Sequence, residues 1–93
     1  MSAESCPERR VRIVNRAGMH ARPAAEFVKL AGRFSAEVLV SKDGLEVNGK
    51  SIMGVLMLAA EEGSHLVIRT SGEDATDALA ALVGFVERGF EEA

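Results

Sequence analysis

The sequence predicts an α+β fold: a four-stranded antiparallel sheet with one face covered by three helices. Three observations carry this. Apolar residues alternate in four short runs and recur at three- and four-residue spacing in three others. The order is strand, helix, strand, strand, helix, strand, helix, so helices can supply the connections that tight turns cannot make. Between the second and third strands stands Asp43-Gly44, a strong hairpin signal.

In the first strand Val11, Ile13 and Asn15 alternate with Arg10, Arg12 and Val14. Asn15 to Met19 is the connection, where Gly18 can adopt a conformation closed to other residues and keep a side chain away from His20. Pro23 fits only the first turn of a helix, because its missing amide proton breaks no intrahelical bond there. Ala24, Phe27, Val28, Ala31 and Phe34 then mark an apolar stripe to about Arg33. Glu37 to Lys42 alternates as the second strand, and Leu45-Glu46-Val47 returns as the third. Ser51 has the chemistry of an N-cap for a second helix from Ile52, ending near Glu61-Glu62-Gly63. Gly54 inside it suits close approach by another element or a partner. His65 to Thr70 is the fourth strand, with His65 exposed at its start. Ser71 and Asp74 read as a capping box for the last helix. Its stripe runs through Ala75, Ala78, Leu79, Leu82, Val83, Val86 and Phe90, with Gly89 as terminator. Residues 1–8 read as a flexible tail and 9–93 as one domain.

Composition narrows the function. A hydrophobic fraction of 47% argues against disorder, and four phenylalanines without tyrosine or tryptophan imply a mainly aliphatic core. The net charge of −3 and the missing aromatic platforms argue against nucleic-acid binding. Cys6 is the sole cysteine, so no intrachain disulfide can form, and no pattern of metal ligands surrounds His20 or His65. No apolar run is long enough for a membrane span, and a cytoplasmic protein is expected.

The distinctive stretch is Gly18-Met19-His20-Ala21-Arg22-Pro23-Ala24-Ala25. His20 stands at a helix start, where backbone amides lack intrahelical partners and favour an anion. Arg22 adds a positive charge one residue inside. On position alone His20 is a surface or capping residue, or an imidazole that takes and surrenders a phosphoryl group.

Asn15 to Phe34 resembles the active-site segment of HPr, the histidine-containing phosphocarrier family of the bacterial phosphoenolpyruvate-dependent phosphotransferase system. Val47 to Leu58 resembles the segment of that family that carries its regulatory serine. The resemblance spans about Arg10 to Phe90 and implies an HPr-like open-faced β-sandwich with strand order 1-4-2-3. It implies phosphorylation of His20 at Nδ1, support from Arg22 and regulation at Ser51. It also implies a phosphocarrier and protein substrate rather than a stand-alone enzyme, with no cofactor and no metal. Enzyme I would donate, an enzyme IIA-type protein would accept, and an HPr kinase/phosphorylase would act on Ser51. If the two helix starts pack side by side, Met19, Ala21, Ile52, Met53 and Val55 frame an apolar docking patch. Arg22, Lys29 and Lys50 would rim it. A monomer is expected. The alternative is a non-carrier regulatory protein-binding module of a nitrogen-related phosphotransferase branch, which Leu82 to Phe90 also resembles.

Overall fold

The structure is a computed structural model that describes residues 6–92. Its strands are β1 (Glu8–Arg12), β2 (Glu37–Lys42), β3 (Leu45–Asn48) and β4 (His65–Ser71). Its helices are α1 (Ala21–Ala31), α2 (Ile52–Met57) and α3 (Ala75–Glu87), and a short 3-10 turn at Gly89–Glu91 follows. The sheet order is β1-β4-β2-β3 with every neighbouring pair antiparallel, the order that the family resemblance implies. β1 and β2 are therefore parallel with β4 between them, and β3 and β4 are parallel with β2 between them. Two strand–helix–strand crossovers interleave in one sheet.

The alternation decides which face the helices cover. Val11, Val38, Val40, Leu66 and Ile68 are buried, while Arg10, Arg12 and Glu37 are exposed on the opposite face. Cross-strand pairing aligns Val11 with Leu66, and Val40 with both Ile68 and Val47. The helices close over that row, and Phe27, Leu82 and Val55 complete it with no exposed surface. The Asp43-Gly44 turn joins Lys42 to Leu45 with φ of 51° and 87°, the left-handed pair of a type I′ hairpin.

Several element ends differ from the sequence reading, among them β1, which ends at Arg12 rather than running on to Asn15. Of the tail expected over residues 1–8, Glu8 pairs with Arg69 in β1 and Pro7 O accepts from Thr70 N at 3.0 Å; residues 1–5 lie outside the described ones. α1 ends at Ala31, two residues early, where the Arg33 and Phe34 amides bond three residues back and tighten the turn. α2 ends at Met57 rather than near Glu61, because Ala59 turns left-handed at φ 50° and sends Ala60 into the core. Gly54 does mark a close approach: a Cβ there would lie 3.2 Å from Val47 Cβ on β3.

The capping box does not form. Ser71 belongs to β4, and the Asp74 carboxylate makes no cap bond to α3. It accepts instead from Ser35 N at 2.9 Å and Ala36 N at 2.8 Å, in the connection between α1 and β2. Two amides fixed by the tertiary fold outcompete the local cap. The Ser35 amide is the main reason the Asp74 carboxyl sits below its ordinary range; desolvation opposes the shift and the Ala36 amide adds to it. A carboxyl depressed in the folded state contributes stability above its unfolded pKa, and that contribution fades as pH falls through the folded value. Asp74→Asn is therefore expected to be less stable than the native chain near neutral pH. Urea melts should show the gap closing as the pH drops below the ordinary value of 3.8.

Candidate functional site

His20 is the N-cap of α1, with φ −77° and ψ −169°, and its carbonyl accepts the first helical bond from Ala24 N at 2.9 Å. Pro23, third in the helix, has no amide proton, so the Ala21 and Arg22 amides are the unpaired donors at this end. The imidazole makes no cap bond and its side chain is 45% exposed. Nε2 lies 3.1 Å from Glu92 Oε2. Arg22 is exposed, and among the described residues its guanidinium has no carboxylate partner, whereas Arg88 pairs with Glu91 at 3.3 Å. Both His20 and Arg22 line an open cleft of about 880 Å³ between the β1–α1 connection, the start of α1 and the C-terminal turn.

The connection before His20 is held at both ends. Gly18 N donates to Asn15 O at 3.1 Å, and Asn15 Nδ2 donates to Gly18 O at 2.8 Å, closing a tight turn. Met19 N then donates to Ala60 O at 2.8 Å, fastening the His20 turn to the segment after α2. Gly18 has φ +70°, and a Cβ there would stand 2.5 Å from Ala60 O and 2.9 Å from Glu61 Cα. The neighbouring backbone alone requires glycine here, whatever space a group on His20 needs.

A donor-rich helix end, an exposed imidazole and an unpaired guanidinium form a site able to hold a phosphoryl group on nitrogen and offset its charge. The family profile described as the PTS HPr component phosphorylation site matches residues 7–88. The chain belongs to the HPr phosphocarrier family. It is 48% identical over 88 residues to phosphocarrier protein HPr of Pseudomonas putida, covering 92% of this chain and 97% of that protein. It is 44% identical over 81 residues to the HPr-like protein Crh of Halalkalibacterium halodurans, covering 87% and 96%. The crystal structure of HPr from Bacillus anthracis str. Ames matches with a TM-score of 0.86 at 46% identity, over 89% of this chain and 99% of that one. The fold and its strand order are those of HPr structures.

Ser51 is the N-cap of α2, and its Oγ accepts from Gly54 N at 3.1 Å. The two helix starts do not pack side by side. Met19 is bonded to Ala60 beyond the end of α2, while Lys50 Nζ, beside Ser51, donates to Phe34 O beyond the end of α1 at 2.7 Å. The helices thus run antiparallel, and His20 and Ser51 lie at opposite ends of the pair. At 1.5 Å per residue, α2 alone separates them by roughly 9 Å.

The predicted docking patch divides accordingly. Met19 and Val55 are buried in the core at 3% and 0% exposure and cannot form it. Met19 is drawn inward by the bond from its amide to Ala60, and Val55 lies on the side of α2 that meets the other elements. Ile52 and Met53 are exposed, Met53 by 68%, and Met57 one turn further on joins them at 65%. Ala21 is exposed at the other helix start. Of the expected rim, Lys29 pairs with Glu26 at 3.5 Å and Lys50 is engaged with Phe34, which leaves Arg22 as its unpaired cation among the described residues. Met57 was legible as the residue four after Met53. Glu92 was not, since 72 residues separate it from His20 and nothing local marks it.

Proposed function

We propose that this chain accepts a phosphoryl group on His20 Nδ1 from phospho-enzyme I and donates it to an enzyme IIA-type protein in the cytoplasm. The observation that carries the reading is the exposed His20 imidazole at the N-cap of α1, with the Arg22 guanidinium, unpaired among the described residues, one residue inside the helix. The helix amides and Arg22 offset charge on the arriving phosphoryl group, while the open cleft lets a partner's residue reach the ring. The exposed Ile52, Met53 and Met57 support docking along α2, with Met57 at the end of that helix nearer His20, since apolar side chains at the centre of a patch carry most binding energy. Incubation with enzyme I, magnesium and labelled phosphoenolpyruvate should place acid-labile, alkali-stable label on the protein. No label under conditions that charge another HPr would overturn the reading.

Ser51 is the proposed regulatory position, modified by an HPr kinase/phosphorylase. It lies at the opposite end of the helix pair from His20, with the length of α2 between them, and solvent and salt screen the two exposed sites from each other. A phosphate on Ser51 acts instead on the patch, placing charge beside Ile52 and Met53 where a partner docks. Ser51→Asp should keep the fold, because aspartate is also a good N-cap. It should accept phosphate from enzyme I about tenfold more slowly, about 1.4 kcal/mol in the barrier. Stopped-time labelling against enzyme I concentration checks this, with the reduction expected mainly in KM. An unchanged rate would leave Ser51 a structural cap only.

A further inference from the structure

The C-terminal turn places a second device on His20 that no local pattern announces. Gly89, Phe90 and Glu91 are successively left-handed, at φ 64°, 57° and 59°. Each non-glycine residue in that region costs about 1–2 kcal/mol. What holds the turn is Phe90, buried and edge-on to Phe85 at 5.5 Å between ring centres. The turn delivers Glu92 to the site, where its two carboxylate oxygens are divided: Oε1 accepts from Asn15 Nδ2 at 2.8 Å and Oε2 lies 3.1 Å from His20 Nε2. Asn15 Nδ2 also donates to Gly18 O. Both neighbours of that amide are acceptors, which identifies its nitrogen end. Among the described residues Asn15 Oδ1 is buried with no donor to it.

We infer that Asn15 and Glu92 are positioning residues that act through His20, holding Nε2 as the protonated nitrogen and leaving the Nδ1 lone pair for phosphorus. The inference rests on the phosphocarrier reading and adds to it the residues that orient the ring. A carboxylate accepts only from N–H, so a neutral imidazole beside it carries its proton on Nε2. In the transfer, the Nδ1 lone pair forms the new N–P bond while the donor's P–N bond breaks. The bonding pair returns to the donor ring, which is protonated on its other nitrogen and leaves as neutral imidazole. His20, already protonated on Nε2, becomes the imidazolium, and no proton need move. Glu92 offsets that new positive charge without taking the proton, and the same charge keeps the phosphorylated ring a good leaving group for onward transfer. At 23% exposure the Glu92 side chain is partly screened, so the effect is moderate.

Glu92→Gln keeps an oxygen acceptor and removes the charge; Glu92→Ala removes both. With enzyme I as donor, Glu92→Gln is expected to lower the maximal rate about fivefold at little-changed KM, the pattern of an interaction made in the transition state. Glu92→Ala should lower it further. Asn15→Ala combined with Glu92→Ala should cost less than the sum of the two single effects, because one chain of bonds is cut twice. Nitrogen NMR of the neutral ring should show the Nδ1–H form rising in Glu92→Ala, an observation that needs no phosphoryl transfer. Faster acceptance by Glu92→Gln would make the carboxylate a barrier to the incoming dianion and overturn the proposal. So would unchanged tautomers, or strictly additive effects. If the native chain takes no label while the tautomer shift is seen, the phosphocarrier reading fails and the ring-orienting bonds stand.

Discussion

His20→Ala is expected to accept no phosphoryl label from enzyme I and to fold as the native chain does. The first half follows from chemistry: the substitution removes the atom that forms the bond, and His65, exposed at the start of β4, is tied by cross-strand pairing to Arg12 rather than to the α1 end. The second half follows from the local structure. The His20 side chain makes no cap bond, so α1 keeps all its donor partners, and the His20–Glu92 pair that the substitution removes joins two solvent-reached groups. Exposed pairs of that kind contribute about 0–1 kcal/mol. Labelling followed by acid and alkali treatment, with a thermal melt on the same sample, checks both parts. Label retained on the alanine variant would move the acceptor elsewhere.

Gly18→Ala is expected to be the most damaging single-methyl change near the site. At φ +70° alanine is strained, and its Cβ would meet Ala60 O at 2.5 Å and Glu61 Cα at 2.9 Å. Backbone cannot swing aside as a flexible side chain can. Left-handed strain together with overpacking gives an expected destabilisation of about 3 kcal/mol. The chain can escape only by breaking the Met19–Ala60 bond that positions His20, so phosphoryl acceptance should fall with stability. Denaturant melts and transfer rates on the same variant test this. A variant of native stability that fails to accept phosphate would show that the methyl obstructs the phosphoryl group instead.

These two glycine and histidine positions show how unevenly the chain can be read. The apolar alternation of β2 and β4 and the helical stripes of α1 and α3 specified faces directly, because side-chain period follows from backbone geometry. Asp43-Gly44 specified its hairpin because two left-handed residues leave few other turns available. Pro23 and Ser51 marked helix starts through the amides that each lacks or satisfies. Such signals involve neighbours within four residues, and most of them survived folding intact.

Asp74 shows where that reach ends: its carboxylate was within range of a local cap, yet the amides of Ser35 and Ala36 took it. Met19 and Val55 looked as available for docking as Met53, because burial depends on which side of α2 packs inward and on the Met19–Ala60 bond that draws the β1–α1 connection against the segment after α2. The sequence by itself determined the element order, the buried face of each strand, His20 with Arg22 at a helix start and Ser51 at another. Only the tertiary structure decided that those two starts lie at opposite ends of an antiparallel helix pair, that Met57 and not Val55 is exposed, and that Glu92 reaches His20. Periodicity and turn chemistry are properties of adjacent residues, whereas a contact across 72 positions exists only once the sheet and the buried Phe90 have brought the chain's end back to its first helix.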